Sequence, residues 1–158
     1  MKDSRSQGFT LLELMMVVLV IALVLAVSYP SLSRGSTALH LRATGRDVLN
    51  TFRYAREKAV TEQTGMQITV DRQKQELVLS NNLGDGSRRY VPPDDVRIER
   101  IALAGDEVID GPMIVRFLPN GGSDHAEILL KSKTGSFLRI ITDPITGGAR
   151  IESGAGEK

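Results

Sequence analysis

Cysteine is absent from the 158 residues, which excludes disulfides, thiolate zinc sites and cysteine nucleophiles. Histidine occurs only at His40 and His125, far apart and too few for a histidine metal site. With no tryptophan and 4% aromatic residues, there is little from which to build a base-stacking platform. A charge excess is missing too. Lys and Arg number 20 against 19 Asp and Glu, a formal +1, which removes the case for wholesale nucleic-acid or polybasic membrane binding and leaves only local patches. What remains is 41% hydrophobic and 25% charged, enough for a core and an ordinary surface, at a length that suits one domain.

The apolar residues are concentrated. Leu14 to Val27 is unbroken over 14 positions, and starting at Phe9 lengthens the segment to 19. As a helix it spans about 28 Å, close to the hydrocarbon thickness of a bilayer. The polar stretch Met1–Gly8 precedes it, with Lys2 and Arg5 against Asp3. A cleaved secretory signal fits poorly, because Ser28-Tyr29-Pro30 replaces the small-residue site expected after the apolar run. A signal anchor with a cytoplasmic amino terminus fits better. The positive-inside bias is weak, since Arg34, Arg42 and Arg46 follow on the other side.

Glu13 is the odd residue in this segment. A carboxylate at full membrane depth costs about 2.5–3.5 kcal/mol on insertion scales, less near the interface, so it needs a partner or a function. The string Gly8-Phe9-Thr10-Leu11-Leu12-Glu13 and the apolar run after it resemble the class III signal of type IV pilins and pseudopilins. The resemblance implies cleavage between Gly8 and Phe9 by a prepilin peptidase, methylation of the new Phe9 amine, and retention of the helix in the mature protein. It also implies a filament in which Glu13 of one subunit meets the Phe9 amine of its neighbour. Such a pair makes a buried charge tolerable and sets register more than it adds net stability. Removing Met1–Gly8 takes Lys2, Arg5 and Asp3 with it, leaving acidic and basic side chains equal in number.

Pro30 should kink or locally unwind the helix without ending it, because helix-compatible sequence resumes. Leu41, Val48, Leu49, Phe52, Ala55 and Ala59 then mark an amphipathic helix. Thr61 to Gly65 ends it, with Gly65 as the breaker. A helix from Phe9 to Val60 would be about 78 Å long if straight. Beyond it the pattern is β. Met66–Val70 alternates cleanly, Asp71–Gln75 is a polar turn, and Glu76–Ser80 completes a hairpin. Asn81–Ser87 is a loop; Arg88–Val91, Val96–Leu103, Met113–Leu118, Ala126–Lys131 and Phe137–Thr142 are further strands at the spacing of an antiparallel sheet. Pro119-Asn120-Gly121-Gly122 is a turn, since Pro presets φ and Gly supplies φ > 0.

Phe117-Leu118-Pro119-Asn120-Gly121, Arg139-Ile140-Ile141-Thr142 and Thr146-Gly147 resemble the carboxy-terminal domain of the GspH/FimT group, minor pseudopilins of type II secretion and minor pilins of type IV pili. The resemblance implies an α+β, pilin-like fold: a long amino-terminal helix, membrane-spanning in its first half, packed on an antiparallel β-sheet domain. The expected organisation is a leader at 1–8, a transmembrane and polymerisation helix at 9–29, its amphipathic half at 30–63, a β-rich periplasmic domain at 64–152 and a tail at 153–158. The implied role is a structural subunit, at or near the tip, of the type II secretion pseudopilus that helps export folded proteins across the outer membrane. Its implied partners are other minor and major pseudopilins, the prepilin peptidase and methyltransferase, the inner-membrane assembly platform and secreted cargo. The alternative is a FimT-like minor pilin of pilus assembly or DNA uptake. Members that bind DNA do so through closely spaced arginines after glycine; here Gly147-Gly148-Ala149-Arg150-Ile151-Glu152 keeps only Arg150, beside an acid, a poor phosphate site.

Other clusters read more plainly. Arg42, Arg46, Arg53, Arg56 and Lys58 outnumber Asp47, Glu57 and Glu62 on the helix, as a solvated face touching neighbouring subunits would. Arg88-Arg89 beside Tyr90 suits a protected strand edge better than a nucleic-acid contact. Asp94-Asp95 and Asp106-Glu107-Asp110 invite calcium, but neither matches an EF-hand loop, and no metal or other cofactor is expected. Ser123-Asp124-His125 contains triad residue types, yet consecutive residues cannot assemble that geometry. Gly84-Asp85-Gly86 lacks the Gly-Lys-Ser/Thr ending of a P-loop. No catalytic residue is assigned, and the chain is expected to be a substrate of enzymes rather than an enzyme.

Overall fold

The computed structural model describes residues 10–81 and 88–152, without the side chains of 26–36. The chain divides into two compact units, Met1–Ser36 and Thr37–Lys158, and one helix, α1 (Leu11–Thr61), enters both. Among the described residues nine strands follow: β1 (Met66–Asp71), β2 (Glu76–Asn81), β3 (Arg88–Tyr90), β4 (Val96–Leu103), β5 (Asp106–Glu107), β6 (Met113–Phe117), β7 (Ala126–Ser132), β8 (Phe137–Thr142) and β9 (Ala149–Glu152). The architecture is α+β and every strand pairing is antiparallel.

Within the second unit, α1 buries a single stripe. Leu41, Thr44, Val48, Phe52, Ala55 and Ala59 are all buried, at the three- and four-residue spacing that places them on one face. Small residues let the helix approach closely: a Cβ on Gly45 would press against the Leu138 side chain of β8. The helix ends before Gly65. Gln63 takes the left-handed conformation, with φ 52, and the Thr64 N–H reaches back to the Ala59 carbonyl at 3.2 Å. This is the Schellman geometry, with Gln63 where glycine is usual. The Gln63 side-chain amide donates to the Val60 carbonyl at 2.7 Å, a bond that helps offset the cost of that conformation and that glycine could not make.

The strands form two sheets where the sequence suggested one run. One has the order β3-β2-β1-β6, the other β5-β4-β7-β8-β9. Alternation puts Met66, Ile68 and Val70 of β1 and Met113, Val115 and Phe117 of β6 into the core, where they meet Leu77 and Leu79 of β2. The second sheet contributes Val96, Ile98 and Ile101 of β4, Ala126, Ile128 and Leu130 of β7, and Leu138 and Ile140 of β8 to the same cluster. Phe52 of α1 meets Phe117 edge-on, with ring centroids 5.7 Å apart at 82°.

The β1–β2 turn joins the two sheets. Asp71 Oδ1 accepts from the N–H groups of Gln73 and Lys74, both at 2.9 Å. The Lys74 N–H above all holds the Asp71 carboxyl below its usual value. Gln75, at φ 55, then projects its amide onto β4 of the other sheet. Its Oε1 accepts from the Ile98 N–H at 2.7 Å and its Nε2 donates to the Ile98 carbonyl at 3.1 Å. The pairing of β4 with β7 shifts register between Ile98 and Arg100, beside this contact. Gln75→Leu removes both bonds and leaves a part-buried N–H and C=O unpaired. It is expected to cost about 1–3 kcal/mol, read as a lower denaturation midpoint at unchanged m-value.

Candidate assembly interface

Thr10 starts α1. Its carbonyl accepts from the N–H groups of Glu13 and Leu14 at 3.1 and 3.2 Å, while its Oγ1 accepts from the Glu13 N–H at 3.2 Å. Thr10-Leu11-Leu12-Glu13 is therefore a capping-box sequence, with Thr10 as cap and Glu13 at the third helical position. The Ser/Thr-x-x-Glu spacing is the local sequence signal for this cap. It gives Glu13 a local role alongside any intermolecular one, since an acid in the first turn also complements the helix dipole. Gly8 and Phe9 lie outside the described residues.

From Leu11 to Leu25 the large apolar side chains are exposed on every face of the helix, from 78% at Leu11 to 46% at Val17. A helix apolar all round belongs inside something, whether lipid or a bundle of other helices. Among the described residues no helix is long and apolar enough to cross a membrane. The described side chains cover Thr10 to Leu25 of an apolar run that the sequence carries on to Val27. α1 is helical through Pro30, whose side chain lies outside the described residues, so the kink there stays an expectation.

The second unit presents two furrows flanking α1. One, of about 340 Å³, lies toward β2 and β3 and is lined by Asp47, Tyr54, Arg88 and Tyr90 among others. Tyr90 Oη stands 3.4 Å from Asp47 Oδ2, and burial first of all raises its hydroxyl pKa. The other, of about 540 Å³, lies between Arg53, Arg56, Glu57 and Val60 of α1 and the Gly147–Ala149 segment. Here the glycines of the Pro119–Gly122 and Thr146–Gly148 turns acquire a physical meaning. Gly147 has φ +62, and a Cβ there would overlap the Gly121 carbonyl oxygen. That carbonyl accepts from Arg56 Nε at 3.2 Å, so helix and both turns converge on one peptide group. Asp143 Oδ1 accepts from the N–H groups of Thr146 and Ile145 at 2.9 and 3.0 Å, and the Thr146 bond leads in holding its carboxyl below the usual value.

The remaining singled-out residues are placed as follows. Arg150 Nε bonds Glu152 Oε1 at 2.9 Å, which sets its charge against an acid on the same strand. Arg89 of the edge strand β3 pairs with the buried carboxylate of Glu76. Asp95 is engaged by His40 at 2.6 Å, and Glu107 lies 3.7 Å from Arg72. Among the described residues no cluster of three or more His, Asp or Glu side chains is placed to hold a metal ion. Ser123 Oγ donates to the carbonyls of Asp124 and Asp143, and His125 Nδ1 lies 2.8 Å from the Thr142 carbonyl, so neither faces the other. Strand β9, which contains Arg150, was missed in the sequence; the alternation Ala149-Arg150-Ile151-Glu152 after two glycines is its only local signal.

Residues 3–29 match the family described as prokaryotic N-terminal methylation motif. No curated protein matches the chain. Among solved structures, the chain resembles the minor pseudopilin EpsH from the type 2 secretion system of Vibrio cholerae. The TM-score is 0.62 at 10% identity over 75% of this chain and 99% of the solved one. A second structure of EpsH gives 0.60 at 10% identity, over 75% and 97%. A methylation motif at residues 3–29 thus stands ahead of a fold like that of a minor pseudopilin. The α+β fold is shared with both solved structures of EpsH.

Gly147→Ala should destabilise the second unit by about 2–4 kcal/mol, combining left-handed strain with displacement of the Gly121 peptide. Gly135→Ala is the control. At φ +86 with open space around it, that change carries the conformational cost alone. Thermal melts of the two variants should separate by the steric part.

Proposed function

We propose that this protein is a minor pseudopilin, a structural subunit at or near the tip of a type II secretion pseudopilus. The observation that carries the reading is a globular fold like that of a type 2 secretion minor pseudopilin behind a methylation motif at 3–29. On this reading a prepilin peptidase cuts between Gly8 and Phe9 and the Phe9 amine is methylated. The apolar first half of α1 anchors the chain in the inner membrane, amino terminus cytoplasmic, until an assembly platform moves it into the filament. The second unit, in the periplasm, contacts other minor and major pseudopilins and secreted cargo. Glu13 meets the Phe9 amine of a neighbour, and Pro30 lets the helix bend between its two environments.

The exposure of Leu11–Leu25 supports assembly through this helix, because such a surface is stable only when covered. Glu13→Ala separates assembly from simple anchoring. Membrane insertion should persist while incorporation into filaments, scored quantitatively against the wild type, falls. Unchanged incorporation would remove the register role. Loss of insertion would point to the cap at Thr10–Glu13 instead.

The DNA-uptake alternative requires several unopposed cations on one surface. Arg42, Arg46 and Arg53 have no carboxylate partner among the described residues, whereas Arg150 is paired with Glu152. Among the described residues every core side chain lies at Leu41 or beyond, so Thr37–Lys158 suits solution work. Titrated with duplex DNA across a salt series, this fragment should show no submicromolar binding. Tight binding that weakens steeply with salt would move the assignment to a DNA-uptake pilin.

A further inference from the structure

Strand β9 closes the five-stranded sheet and is bonded, among the described residues, to β8 on one side only. The phase of that ladder follows from its first rung, where the Asp143 N–H donates to the Gly148 carbonyl at 2.8 Å. Antiparallel bonds alternate, so Ile141 pairs with Arg150 and Arg139 with Glu152 through hydrogen bonds. The N–H and C=O groups of Ala149 and Ile151 therefore point away from β8, along the free edge of the sheet.

The larger furrow runs into this edge, because Ala149 lines it together with Arg53 and Arg56 of α1. Arg56 is anchored through Nε to the Gly121 carbonyl and keeps its terminal nitrogens for another acceptor. Arg53 has no carboxylate partner among the described residues, and Glu57 is the one acid in the lining. The two turns that meet here also expose aliphatic side chains, Ile145 at 86% and Leu118 at 48%. The furrow therefore brings a backbone edge beside two guanidinium groups with one carboxylate among them, and the two turns that meet at Gly121 and Gly147 carry the exposed aliphatic side chains. An extended polypeptide matches the edge with a full ladder of backbone hydrogen bonds, and carboxylates best match the guanidinium groups.

We propose that the free edge of β9 and the Arg53–Arg56 furrow dock an extended, acidic segment of a partner subunit. The segment adds as a strand beside β9, with its carboxylates on the two arginines and an aliphatic residue against Ile145 and Leu118. This deepens the assembly reading by naming the surface through which the second unit would recognise a neighbour.

The test uses the full chain, isotope-labelled, in detergent micelles. The probe is a blocked hexapeptide of alternating glutamate and valine, and a lysine–valine hexapeptide is its counterpart. The acidic peptide should shift the Ala149 and Ile151 amide signals and slow their hydrogen exchange, and the basic peptide should not. Arg53→Glu, on the helix surface, should weaken the acidic peptide about tenfold. Ala149→Pro removes an outward N–H without breaking a bond to β8, so it should abolish the exchange protection. If Ala149→Pro perturbs the fold, Arg53→Glu carries the test alone. No response at β9, or binding indifferent to Arg53→Glu, overturns the proposal. Should that happen while Glu13→Ala still blocks filament incorporation, the docking groove falls and the assembly reading stands.

Discussion

The edge-on contact of Phe52 with Phe117 is the hinge on which the second unit depends. Phe52 sits in the buried stripe of α1, and Phe117 is the last residue of β6. The chain turns immediately after it, through Leu118 to Gly122, and the Gly121 carbonyl in that turn receives Arg56 from one helical turn beyond Phe52. Gly147 then packs on the same peptide from the other sheet. One aromatic contact thus fixes where the helix lies on the first sheet, and the small and basic residues beyond it bring in the end of the second. Burial of this kind contributes most of the stabilisation, because apolar area removed from water outweighs what any surface ion pair here can add.

α1 is one element with two kinds of surface. In its first half the apolar residues occupy every face, and in its second the buried ones form a single stripe, with Arg42, Arg46 and Arg53 on the outside. A single stripe is satisfied by two sheets of the same chain. A whole circumference is not, and it needs lipid or other subunits. The same covalent helix therefore joins a self-sufficient unit to a segment whose apolar surface needs a cover from outside the chain.

Much of this was legible in the residues. The run after Gly8-Phe9-Thr10-Leu11-Leu12-Glu13 stands out by its unbroken length, and the stripe from Val48 to Ala59 repeats at helical spacing, so both halves of α1 followed from local sequence. The strands from Met66 to Thr142 were readable because alternation is a local property. Gly65 as the helix breaker was a plausible choice that lost to Gln63, whose side-chain amide bonds Val60. The short strands β5 and β9 were missed because two to four residues carry too little alternation to stand out from a loop.

What the sequence determined by itself was the order and type of the longer elements, the amino-terminal motif and the need for a covering environment around Leu11–Leu25. These depend on neighbours a few residues apart, and chain order records such neighbours directly. The tertiary structure alone decided how nine strands divide into two sheets and that Gln75 staples one to the other across 23 residues. It alone decided that Gly121 and Gly147 meet over Arg56, and that the segment carrying Arg150 pairs with β8. Those relations are between residues distant in the chain, and only the burial of the shared core brings them within bonding distance.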